Sequence, residues 1–184
     1  MLAVDVTDRA DLAFLRGLMA RADLVIEASR PRVMAQWGID PLALAVESAT
    51  SWISITGHGR VDDPLRVGFG DDAAVAGGLW SRTDAGPGFV ADAVADPLTG
   101  MAAAVQAADL LTGDRAAVVD VPLAGVAAQV DAGACDARVD RTGDGWAVWT
   151  GSGPLEVAPP RSRPVTGRAA VLDAHGPALR DEFA

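Results

Sequence analysis

The chain has 184 residues, a formal net charge of −10 from 15 basic and 25 acidic residues, and one cysteine. The length predicts one globular domain with a sizeable core. The chain has no basic run, which excludes a nucleic-acid-binding face, and its single cysteine excludes an internal disulfide.

Two further absences in the sequence set expectations about membranes and metals. No run of uncharged apolar residues is long enough for a membrane-spanning helix, and the acidic N-terminus does not resemble a signal peptide. A cytoplasmic location without membrane association is therefore expected. His58 and His175 are far apart along the chain, so we expect no histidine-based metal site.

The hydrophobic pattern alternates between helical and strand character as far as about residue 128. Residues 96–111 predict the strongest helix, with Asp96 as N-cap and Pro97 at the first helical position. Residues 81–88, rich in Gly, Asp and Pro, predict a loop. Strands are predicted at residues 24–27, 51–56 and 116–121, and the other helices at residues 11–22, 30–38, 41–48, 71–79 and 122–129.

The character of the chain changes after residue 132. Short strands at residues 135–139 and 146–149 are predicted to flank a turn at residues 142–145. The complete pattern predicts an α/β fold whose Rossmann-like, largely parallel sheet has flanking helices. This domain is expected over residues 1–130, a small β-hairpin region over residues 131–158, and an extended tail over residues 159–184.

Asp96 is the strongest candidate for a chemical role on local sequence. A carboxylate at a helix N-terminus is kept ionised and oriented by free backbone N–H groups and by the positive end of the helix dipole. A nucleophilic carboxylate needs both properties. Aspartate followed by proline is also a common start of an ordinary helix, so the local pattern leaves both interpretations open.

Three segments resemble, in order and spacing, the class III CoA-transferases, which include formyl-CoA transferase and carnitine CoA-transferase. Residues 22–38 (ADLVIEASRPRVMAQWG) resemble the family's "ADV-IE-x-x-RPG…LG" segment. Residues 52–59 (WISITGHG) resemble its "SISGFG" strand and turn. Residues 95–101 (ADPLTGM), followed by an alanine-rich helix and residues 111–113, resemble its "aD…tG…aa…TG-G" segment.

The resemblance implies that Asp96 is the nucleophile of a CoA transfer. Its carboxylate would attack an acyl-CoA thioester to give an acyl-aspartyl anhydride, and the thiolate would return to give an aspartyl-CoA thioester. A carboxylic acid acceptor would then take the CoA through a second anhydride. A coenzyme A thioester is thus expected as substrate, with no tightly bound cofactor and no metal.

The resemblance also implies a CoA-binding surface. The loop of relatives that corresponds to residues 28–37 contacts CoA. Arg30 and Arg32 would meet the phosphates, Val33 and Trp37 would pack against the adenine, and Arg66 falls near a further phosphate contact. The alternative interpretation makes the two loop arginines solvated charges and Trp37 part of the core.

Some family features have no counterpart in the sequence, and they keep two other functions open. We find no segment that resembles the family's N-terminal nucleotide-binding unit or its glycine-rich loop, and relatives form interlocked dimers. The chain is therefore expected to be a homo- or hetero-oligomer, and a non-catalytic subunit of a longer partner is one alternative. An acyl-CoA racemase is another, although the histidine of that branch would fall near Phe69, and His58 lies in a different turn.

Overall fold

A computed structural model of the chain describes residues 1–61, 65–130, 138–159, 161–162 and 164–183. The chain divides into two compact units, Met1–Asp131 with Leu172–Ala184, and Ala132–Val171. Within the described part, no helix is both long and apolar enough to cross a membrane.

The described residues of the first unit form a mixed α/β structure, as the alternating pattern predicts. Its helices are α1 (Arg9–Ala20), α2 (Pro31–Gln36), α3 (Pro41–Glu47), α4 (Gly70–Ala76), α5 (Ala95–Thr112), α6 (Leu123–Val130) and α7 (Gly176–Glu182). Its strands are β1 (Leu24–Glu27), β2 (Ser51–Thr56), β3 (Trp80–Thr83), β4 (Gly86–Phe89) and β5 (Val118–Pro122).

The central sheet of this unit is parallel, with strand order β1-β2-β5. The register pairs Glu27 with Ser54 and Ser54 with Asp120, so polar residues of all three strands align across the sheet. The middle strand, β2, is buried along nearly its whole length. A parallel sheet of this kind is covered on both faces by helices.

Two neighbouring residues of β2 pack into the core on opposite faces of the sheet. Trp52 packs with Met34, Ile39 and side chains of α1 and α3. Ile53 packs with residues of α5 and α6 on the other face. Both side chains are fully buried. Because successive strand residues point to opposite faces, this pair builds a helix–sheet–helix arrangement.

Helix α1 begins two residues earlier than its apolar stripe indicates, because Asp8 caps it. The Asp8 carboxylate accepts hydrogen bonds from the backbone N–H groups of Ala10 and Asp11, at 2.8 and 2.9 Å. Asp8→Ala is expected to lower the free energy of unfolding by about 1 kcal/mol, measured by urea denaturation. Asp8→Ser keeps a capping oxygen and should stay near the wild-type stability; equal losses in both variants would contradict the cap.

Residues 81–88 form a hairpin rather than the predicted loop. Strands β3 and β4 pair antiparallel, with Trp80 opposite Phe89 and Thr83 opposite Gly86. Gly86 has a φ of +113°, which glycine adopts without strain at a tight turn. The high glycine and proline content that indicated a loop here belongs to the turn and to the short strand that follows it.

The second unit contains an antiparallel sheet with strand order β6-β7-β8, formed by β6 (Arg138–Thr142), β7 (Gly145–Thr150) and β8 (Gly153–Glu156). The predicted hairpin corresponds to β6 and β7. Residues 135–137 of the first predicted strand lie outside the described residues. Strand β8 was not predicted, since its glycine and proline weaken the strand pattern. The guanidinium of Arg138 hydrogen-bonds Asp140 and lowers the pKa of that carboxyl.

The residues predicted as an extended tail include a short helix, which the sequence also allows at residues 179–183. Helix α7 belongs to the first unit, where Arg180 forms an ion pair with Asp11 at 2.8 Å. The Asp11 carboxylate also accepts the backbone N–H of Asp5. The backbone hydrogen bond from Asp5 is the larger of two contacts that lower the pKa of Asp11, and the contact with Arg180 is the second. The ion pair joins residues 169 positions apart, which the local sequence does not reveal.

Candidate active site

A cavity of about 310 Å³ lies where β1 and β2 end. Its walls come from the segment after β1, from Thr56 and Gly57 at the end of β2, from residues 65–69, and from the start of α5. The carboxyl ends of parallel strands are the usual position for a ligand site in α/β folds. This cavity therefore lies at the edge of the sheet where a ligand site is expected.

Asp96 lines this cavity, but it is not the N-cap that the sequence predicts. Helix α5 begins at Ala95, one residue before it, and its N-cap residue, Val94, makes no capping hydrogen bond through its side chain. The helix starts early because residues 92–94 already form a turn, in which Ala93 accepts the backbone N–H of Asp96 at 3.0 Å. The Asp96 carboxylate is exposed and still lies in the first turn, at the positive end of the helix dipole.

All three arginines that were predicted to bind phosphate line the same cavity as Asp96. Arg30 is the N-cap residue of α2, Arg32 lies in the first turn of that helix, and Arg66 comes from the segment after β2. All three are exposed. A guanidinium suits phosphate oxygens because its planar donors bind two of them at once. The structure thus brings four of the six predicted site residues together.

Val33 and Trp37 lie elsewhere. Both side chains are partly buried and pack against the core cluster that contains Met34 and Trp52. Neither lines the cavity that holds Asp96. Their predicted contact with an adenine remains a prediction, whereas their packing role follows directly from the structure.

A network of polar side chains lies behind the cavity at the ends of the three parallel strands. Arg60 donates through Nη1 to Glu27 Oε1 and to Ser54 Oγ, both at 2.9 Å. The backbone N–H of Arg60 donates to Asp120 Oδ2 at 2.6 Å, and the Thr56 hydroxyl donates to Asp120 Oδ1 at 2.8 Å. Sequence reasoning missed this network. The available signal was the polar residue near the end of each apolar strand: Glu27, Thr56 and Asp120.

Two glycines allow the segments around the cavity to approach closely. A methyl group built on Gly57 would lie 2.8 Å from the Cα and N atoms of Gly68. A methyl group built on Gly68 would lie 2.9 Å from the His58 ring. Larger residues at these positions would force residues 65–69 away from the end of β2.

His58 is buried beside the cavity but does not line it. Its side chain is 6% exposed, and its Nε2 lies 3.9 Å from Asp72 Oδ2 without a hydrogen bond to any described residue. The position near which a racemase histidine was expected is held by Phe69, which does line the cavity.

Comparison with known proteins identifies the family of the chain. The profile of CoA-transferase family III matches residues 1–153. No curated protein matches the chain. Among solved structures, a CAIB/BAIF family protein from Brucella suis matches with a TM-score of 0.66 at 20% identity, over 80% of this chain and 47% of that one.

The Mycobacterium tuberculosis protein Rv3272, described as hypothetical, matches with a TM-score of 0.65 at 25% identity, over 81% of this chain and 47% of that one. An aspartate-to-alanine mutant of the same protein matches with a TM-score of 0.66 at 25% identity, over 81% and 46%. The chain thus spans about half the length of these structures. On the family match over most of its residues, the chain belongs to CoA-transferase family III.

Proposed function

We propose that the chain binds an acyl-CoA at this cavity and transfers its CoA to a carboxylic acid, with Asp96 as nucleophile. One observation carries the proposal: Asp96 and three arginines, Arg30, Arg32 and Arg66, line a single cavity at the end of the parallel sheet. The arginines supply local positive charge in a chain of net charge −10 that would otherwise repel CoA.

The proposed chemistry needs no proton transfer. The Asp96 carboxylate attacks the thioester carbonyl carbon, the C–S bond breaks, and CoA leaves as thiolate from an acyl-aspartyl anhydride. The thiolate then attacks the aspartyl carbonyl and releases the acyl group as a carboxylate. The acceptor carboxylate attacks the resulting aspartyl-CoA thioester, and the thiolate takes the new acyl group from the second anhydride, which restores Asp96. The sequence of steps replaces one difficult exchange with several easier ones.

The surroundings of Asp96 suit this role. The first-turn N–H groups of α5 and its dipole favour the negative charge that develops on the carbonyl oxygen during each attack. Ile55, Phe69 and Leu123 give the cavity an apolar wall that an acyl group can contact. The three arginines line the same cavity, which suits the phosphates of CoA.

Intact-protein mass spectrometry tests this proposal. The purified chain is incubated with a panel of acyl-CoAs, beside the Asp96→Ala variant. We expect a CoA-sized adduct on the wild type that hydroxylamine removes and that the variant lacks. Folded wild-type protein that forms no adduct would contradict catalysis by the isolated chain.

A non-catalytic subunit that completes a longer partner is the second candidate. It is favoured by an apolar groove of about 370 Å³ beside the β3–β4 hairpin, lined by Val75, Trp80 and Phe89. Sedimentation velocity, combined with the mass-spectrometric test, would decide between the catalytic chain and the non-catalytic subunit. A well-folded monomer that also forms the CoA adduct needs no partner.

An acyl-CoA racemase is the third candidate. It predicts solvent deuterium at the α-carbon of a 2-methylacyl-CoA. Phe69, rather than a histidine, lines the cavity near the expected position, which favours acyl transfer over proton transfer.

A further inference from the structure

We propose that Arg60 is a positioning residue, which holds the segment after β1 against the segment after β2 and so sets the width of the cavity. The assignment of that cavity to CoA rests on the function proposed above. The coupling of the two segments by Arg60 rests on the contacts alone.

Arg60 contacts all three strands of the parallel sheet at one edge. Its backbone N–H donates to Asp120 of β5, and its guanidinium donates to Glu27 of β1 and Ser54 of β2. Ser54 also accepts the indole N–H of the buried Trp52 at 3.1 Å. Hydrogen bonds to three strands therefore fix the position of Arg60.

Glu27 connects Arg60 to the wall of the cavity through hydrogen bonds. Its second oxygen, Oε2, accepts the backbone N–H of Ser29 at 2.8 Å and also the Ser29 hydroxyl. Ser29 lines the cavity, and the next residue is Arg30. The Arg60–Glu27 contact thus determines where the turn that carries Arg30 lies relative to Thr56 and Gly57.

The burial of this pair makes it a strong constraint. The Glu27 side chain is 7% exposed and that of Arg60 is 21% exposed, at an N–O distance of 2.9 Å. A buried carboxylate that loses its cationic partner keeps an uncompensated charge, so it moves towards water. That movement releases Ser29 and the turn that follows it.

Amide hydrogen exchange tests the coupling without a ligand. In Arg60→Gln we expect the Ser29 amide, in the segment after β1, to exchange about tenfold faster, while that of Ile53 in the core changes little. In Glu27→Gln the Arg60 amide should respond in the same way. Arg60→Lys keeps the charge and should restore part of the Ser29 protection.

A matched control removes an ion pair of similar length in the same unit. Arg180→Gln breaks the 2.8 Å contact with Asp11 and should leave the Ser29 and Arg60 amides at wild-type rates. The proposal is overturned if Ser29 exchange in Arg60→Gln equals that of the wild type. It is also overturned if Ile53 accelerates equally, which would show a general loss of stability; Glu27→Gln decides if Arg60→Gln does not fold.

Kinetics and binding separate this inference from the proposed function. If the wild type transfers CoA, Arg60→Gln should raise KM about tenfold and change kcat less than about threefold, because Asp96 lies on a different element. A lower kcat at unchanged KM would overturn positioning through Arg30. A wild-type chain that does not bind CoA would refute the proposed function, and the exchange rates would still decide the coupling.

Discussion

Asp96→Asn is expected to lower CoA transfer by at least ~10³-fold while leaving the Kd for CoA within about threefold of the wild-type value. The amide has the shape of the carboxylate but cannot act as the nucleophile, so no anhydride forms. The arginines that line the cavity stay unchanged. Loss of a negative charge beside a polyanionic ligand gives no reason for weaker binding.

An isotope exchange measures this transfer without knowledge of the natural acceptor. The chain is incubated with an acyl-CoA and its own free acid, isotopically labelled, and the label that enters the thioester is followed by mass spectrometry. Calorimetry gives the Kd for CoA. Donor and acceptor have the same acyl group, so a single cavity must accept both.

Asp92→Asn is the matched control for this substitution. Asp92 is exposed, lies four residues before Asp96, and does not line the cavity. Its variant should exchange label at the wild-type rate. If Asp96→Asn retained more than about a tenth of the wild-type rate, the nucleophile would be a different group.

The secondary structure of the first unit was predictable because its apolar residues follow clear periods. Strand β2 forms where the β-rich run at residues 51–56 predicts it, and α5 forms where small and apolar residues continue for several turns. The start of α5 differs from the prediction because the N-cap residue is Val94, which has no capping side chain, whereas the sequence places a cap signal at Asp96. A cap is read from residue type, whereas the observed start depends on a backbone turn.

The cavity was predictable only in part, for a similar reason. Asp96, Arg30, Arg32 and Arg66 lie on three separate segments, and the resemblance to the family grouped them. The network at Arg60 depends instead on which strands are neighbours. Asp120 is 60 residues away along the chain and meets Arg60 only because β5 pairs with β2. Strand order is a tertiary property that local patterns do not contain.

Gly70→Ala is expected to lower the free energy of unfolding by about 1–3 kcal/mol and to slow CoA transfer about 10–100-fold. Gly70 is buried at the start of α4, where a methyl group would lie 2.7 Å from the Cα and Cβ atoms of Ala93 and from Asp96 Oδ2. Real Cβ atoms do not approach backbone this closely. Either the corner at Ala93 or the carboxylate of Asp96 must therefore move.

The turn at Ala93 resists such a movement, so we expect the Asp96 carboxylate to move instead. Ala93 has a φ of +46°, and its N–H is held by Asp71 Oδ1 at 2.7 Å. Urea denaturation and the isotope exchange measure the two effects. Gly100→Ala, also on α5, is the control, because a methyl group there meets none of the described residues within 4 Å and should stabilise the chain by about 0.5–1 kcal/mol. A Gly70→Ala variant that matched the wild type in both measurements would show that Asp96 does not depend on this contact.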